Sequence, residues 1–143
     1  MSTLAIRPAD HLPMLDAIAA TYPVRLQGIE VVPSIRDWSV AHGLEESSHS
    51  RMGKTVVNNE TGASLILLAA EITPEMQSQV IFGMEARGHF DEAQPLRGDA
   101  RAFIVHLLLH EMAHARFPDA TEIECDDWAF AELPRHHPPA SAG

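Results

Sequence analysis

Five consecutive residues, His110-Glu111-Met112-Ala113-His114, have the types and spacing for metal-dependent hydrolysis. Residues four apart on a helix share a face, so His110 and His114 can present two imidazole nitrogens to one ion with Glu111 beside it. A metal, two imidazoles and an adjacent carboxylate are the parts needed to deprotonate a water and deliver it to a carbonyl carbon. The chain has 143 residues and nine histidines, a composition in which an H-E-x-x-H run arises by chance in roughly one chain in twenty. The neighbouring elements must therefore supply the specificity.

A hydrolytic zinc site takes three protein ligands and keeps a fourth position for water. An extension to H-E-x-x-H-x-x-G-x-x-H is excluded, because Phe117 and Ala120 stand where Gly and His are required. His136 and His137 lie in a Pro-rich tail, which is poorly suited to fixing a ligand. What remains is the acidic segment Glu122-Ile123-Glu124-Cys125-Asp126-Asp127. On a helix Glu122 and Asp126 share a face, so one carboxylate can bind the metal while the other orients a histidine through its free ring nitrogen. Plainer roles exist: Glu122 can close a capping box from Asp119, and Glu124 from Thr121. If Thr121 is the cap, Glu122 stays free for metal.

His110-Glu111-Met112-Ala113-His114 followed by Glu122-x-Glu124-Cys125-Asp126-x-x-Ala129 resembles the pattern of gluzincin-type metallopeptidases, especially the compact ImmA/IrrE-like zincins. The resemblance covers roughly residues 54 to 133. It implies one zinc ion held by His110, His114 and Glu122, with Glu111 as general base and Asp126 supporting a ligand. It also implies hydrolysis of a peptide or protein substrate lying along the strand before the motif helix, here Ala63 to Ala70. The chain departs from the pattern in two places: only seven residues separate His114 from Glu122, and Cys125 stands where Ala is usual. Glu124 and Asp126 therefore stay open as alternative ligands.

The elements that must position these residues are legible in outline. Apolar spacing predicts a helix over Asp10 to Ala20, a strand over Val24 to Val32 and a short helix over Ser34 to His42. Gly43 to Gly53 reads as a loop. Lys54 to Asn58 and Ala63 to Ala70 flank a turn-like Asn59-Glu60-Thr61-Gly62 and form a hairpin. Thr73-Pro74-Glu75 starts a helix reaching toward Gly88, and His89 to Gly98 reads as a loop. Asp99 caps the motif helix, Pro118 stops it, and a last helix spans about Glu122 to Leu133. The expected fold is a minimal zincin-like α+β domain over residues 1–133: a small, mostly antiparallel sheet on the motif helix, then an acidic helix. Residues 134–143 are expected to be a disordered tail.

Composition narrows the function classes. A formal charge of −10 with only ten Lys and Arg disfavours nucleic-acid phosphate as a partner. The single Cys125 gives no intrachain disulfide and is expected to be a small buried residue. No apolar stretch approaches a membrane span and no secretory h-region is visible, so the expected location is cytoplasmic, with no membrane partner. His106 extends the His110 face and reads as a core or supporting histidine rather than a fourth ligand; His49 and His89 read as solvated. Two rivals to the peptidase remain: a catalytically silent zincin-like interaction module, and a metal-dependent amide or ester hydrolase for small molecules. Glu111 argues against the first, and an open groove along the hairpin edge would argue against the second.

Overall fold

The computed structural model describes residues 5–44 and 52–136; His49 and residues 137–143 of the expected tail lie outside them. A 3-10 turn at Pro8–His11 leads into helix α1 (Leu12–Ala19), which buries Leu15, Ile18 and Ala19. Strand β1 (Leu26–Val32) is followed by helix α2 (Ile35–Ala41), whose first turn is closed by Ser34 Oγ accepting from the Asp37 N–H at 3.1 Å. Strands β2 (Gly53–Val57) and β3 (Ser64–Ala69) form the expected hairpin. Its turn is built by Asn58 Oδ1, which accepts from the backbone N–H groups of Glu60 and Thr61, and by Gly62 at φ +75°.

The strand order is β1-β3-β2, with β3 antiparallel to β2 and parallel to β1. The sheet is therefore mixed rather than mostly antiparallel. The physical reason lies in β3, which reads Ser-Leu-Ile-Leu-Leu-Ala and buries nearly every residue. A strand apolar on both faces needs cover on both sides, and so takes the centre. Ile66 and Leu68 face the main core, while Leu67 and Ala69 meet Val32 and Ile35 of the β1–α2 corner.

Helix α3 (Pro74–Ala86) starts where expected, with Thr73 Oγ1 accepting from the Met76 N–H. The segment expected as a loop after it forms a one-turn helix α4 (Phe90–Ala93) and a 3-10 turn at Gln94–Leu96, because Ala93 and Leu96 are drawn into the core. Asp99 Oδ1 accepts from the Ala102 N–H at 3.0 Å and opens helix α5 (Ala100–Arg116). Ala102 to Leu109 of α5 are buried without a break, so this is a central helix rather than a surface one. Helix α6 (Glu122–His136) packs along it and runs three residues past the expected end, through Pro134. Among the described residues no helix is long and apolar enough to cross a membrane.

Tyr22, just after α1, clasps α6. Its hydroxyl donates to Glu132 Oε1 at 2.9 Å and lies 2.6 Å from His136 Nε2, and its ring meets Trp128 edge-on. Burial, then the hydrogen bond to Glu132, push the phenol pKa up from the ordinary 10.0 to about 12. Folding thus favours the neutral phenol. This contribution is complete below about pH 10 and is lost as pH rises through about 12. Tyr22 is the only tyrosine, so the ultraviolet absorbance of tyrosinate reports it alone. The folded protein should titrate well above unfolded chain, and Glu132→Gln should bring the midpoint down; a midpoint equal to that of the unfolded chain would rule out the clasp.

Candidate metal centre

His110 and His114 emerge on one face of the last turns of α5, with ring centroids 4.9 Å apart. Residues 117–121 turn the chain back within a few residues, helped by the Phe117 carbonyl accepting from the Ala120 N–H. Thr121 and Glu124 then close a reciprocal capping box: Thr121 Oγ1 accepts from the Glu124 N–H at 3.1 Å, and Glu124 Oε1 accepts from the Thr121 N–H at 2.9 Å. Glu122, in the same first turn, is left free to reach across. Its Oε2 lies 2.8 Å from His110 Nε2 and its Oε1 3.0 Å from His114 Nε2.

Asp126, one turn further along α6, is almost fully buried and supports the arrangement from behind. Its Oδ1 accepts from His110 Nδ1 at 2.8 Å and from His106 Nε2 at 3.3 Å, while Oδ2 accepts from Arg87 Nη2 at 2.8 Å. A proton fixed on Nδ1 directs the other nitrogen of His110 toward Glu122. Burial opposes charge on His110, but the hydrogen bonds to Asp126 and Glu122 outweigh it and lift its pKa to about 10. The hydrogen bonds from His110 and His114 hold the Glu122 carboxyl far below the usual carboxylate range. Burial would raise the Asp126 pKa, yet its histidine partners pull it well down. His106 is fully buried and is kept neutral by that burial.

Two sets of donors could hold a cation: His110, His114 and Glu122, or His106, His110 and Asp126, each with its donor atoms within 4.8 Å of one another. They use opposite nitrogens of His110. In the second set the Arg87 guanidinium already rests on Asp126, and Asp126 and His106 are buried. In the first set Glu122 is 67% exposed and His114 23%, so an ion and water can enter. Two imidazole nitrogens and one carboxylate, open on one side, could hold a metal ion.

Glu111 lies against β2, beside the two histidines, and is 6% exposed. The Thr55 hydroxyl lies 2.8 Å from both Glu111 Oε1 and the Glu111 backbone oxygen. Two residues before it, a Cβ on Gly53 would come within 3.2 Å of Glu111 Cγ, Glu111 Oε2 and Leu107 Cδ1. The carboxyl thus packs closely on a bare position of the strand, and a side chain there would crowd it. Burial pushes the Glu111 pKa up.

The site opens into a cleft of about 720 Å³ bounded by β2, α3, α5 and the start of α6. The structure corrects the expected cleft wall: Ala63 to Ala70 contains the central strand β3, and the edge facing the cleft is β2. It also corrects His89, which is 7% exposed rather than solvated, with Nδ1 2.7 Å from Glu92 and its ring against Phe130. Cys125 is buried as expected, its Sγ 3.5 Å from His114 Nδ1, and burial lifts its pKa to about 12.

His110, Glu111, His114, Glu122 and Asp126 are thus brought together. The sequence reading missed Gly53, Thr55 and Arg87, whose roles arise from long-range pairing and leave no local signature. Comparison with protein-family models, curated proteins and solved structures finds no match.

Proposed function

We propose that this protein is a zinc-dependent peptidase. The observation that carries the reading is Glu122 joining the Nε2 atoms of His110 and His114 while Glu111 sits buried beside them with no metal-binding duty. His110, His114 and Glu122 would hold the ion. Zinc, when bound there, supplies Lewis acidity that lowers the pKa of water and polarises a carbonyl. Glu111 then takes a proton from the attacking water, whose oxygen bonds to the carbonyl carbon. The same carboxyl returns that proton to the amine as the C–N bond breaks. Thr55 and Gly53 hold Glu111 against β2, so its orientation does not depend on substrate.

Among the described residues β2 is an edge strand beside the site, which favours an extended peptide over a small molecule. An edge strand can add a substrate strand through its outward backbone groups. Elemental analysis of protein prepared without chelator should find about one zinc per chain, and added zinc should raise the melting temperature of the stripped form. Glu122→Ala should lose the ion, whereas Glu124→Ala, which removes only the cap, should retain it. Absence of stoichiometric metal, or equal zinc affinity in the two variants, would overturn the assignment.

A further inference from the structure

Arg87, immediately after α3, brings a guanidinium into the cleft, and its pairing with Asp126 uses only part of it. Its Nη2 lies 2.8 Å from Asp126 Oδ2, and the side chain is 36% exposed. Its remaining side-chain N–H groups have no hydrogen-bond partner among the described residues. The other basic side chain lining the cleft, Lys54, turns its ammonium to Ser39 Oγ at 3.4 Å. Arg87 is separated from the candidate ligand His110 only by the Asp126 carboxylate.

Gly83 is an independent sign that this placement is built in. Glycine is unfavourable inside a helix, yet it stands one turn before Arg87 in α3. A Cβ at that position would lie 3.3 Å from Arg87 Nη1, so the guanidinium folds back closely along the bare turn of the helix. The planar fork retains N–H pairs suited to a carboxylate. Beside it the cleft wall is apolar, formed by Val80, Met84, Phe103 and Leu107.

We propose that Arg87 is a carboxylate-binding subsite, and that the cleft takes peptides carrying a carboxylate next to an apolar side chain. This rests on the peptidase reading and names its substrate class. The carboxylate belongs either to a peptide C-terminus or to an acidic side chain.

Calorimetry on the zinc-loaded protein with N-acetylphenylalanine, its neutral amide and N-acetylglutamic acid α-amide tests it. At least one acid should bind about 10-fold more tightly than the neutral amide. The tighter acid identifies the source: phenylalanine for a terminus, glutamate for a side chain. Arg87→Gln, measured at a zinc content matched to the parent, should erase the preference. An acid preference that survives Arg87→Gln would place the carboxylate on the zinc, and no preference in the parent protein would equally overturn the subsite. Should Arg87→Gln fail to fold, Arg87→Lys keeps the charge and removes the planar fork; it should weaken the preference, and an unchanged preference would overturn the proposal. Because binding is read separately from hydrolysis, a protein that prefers the acids but cleaves no peptide would retain the subsite and refute the peptidase.

Discussion

Glu111→Gln is expected to keep its zinc and to lose peptide hydrolysis by about 100- to 10,000-fold, the usual range for a general base. The amide has nearly the shape of the carboxylate, and its oxygen can still accept from Thr55, whose hydroxyl lies 2.8 Å from Glu111 Oε1. What it cannot do is take a proton. His110→Ala and His114→Ala should instead lose the metal itself, because each removes one of the two Nε2 atoms that meet Glu122. Measuring zinc content and turnover of the three variants in parallel separates the roles. Equal zinc loss in all three would make Glu111 a ligand or a structural residue.

Asp126→Ala should have the largest combined effect on stability and metal affinity. One carboxylate serves His106, His110 and Arg87 at once. Removing one partner of a buried charge pair costs about 3–5 kcal/mol; since Arg87 keeps access to solvent, a loss near about 3 kcal/mol is expected. Zinc affinity should fall about 10- to 100-fold as His110 loses the acceptor that orients its ring. Urea denaturation of the metal-free variant reads the first quantity, and a zinc titration of the folded variant reads the second. Unchanged zinc affinity would mean that Asp126 does not orient His110.

The local parts of this fold were legible because each is written in a few adjacent residues. Thr73-Pro74, Asp99 and the Thr121–Glu124 pair carry their capping chemistry within a turn, and the structure forms all three caps. The hairpin was readable from Gly62 and its flanking apolar runs. His110, His114, Glu122 and Asp126 could be grouped because helical spacing and a short link fix which faces meet.

What escaped depends on pairing between distant segments. The burial pattern of β3 distinguishes centre from edge only once β1 is known to lie parallel beside it. His89 resembles a loop residue until Phe130, forty-one positions away, covers its ring. Thr55 meets Glu111 across fifty-six residues, and Arg87 meets Asp126 across thirty-nine.

Gly53 acts through what it lacks, and that makes it a diagnostic for kinship. A chain in which a carboxyl is lodged against a strand in this way is best served by a position without a side chain there and a hydroxyl two residues later. H-E-x-x-H alone recurs by accident. Gly-x-Thr on an edge strand, followed by H-E-x-x-H and then by Glu and Asp four apart, is a compound signature with several independent requirements. Chains sharing all of it would be expected to share the lodged carboxyl, whereas an H-E-x-x-H chain with a bulky residue at the Gly53 position would have to hold its glutamate differently.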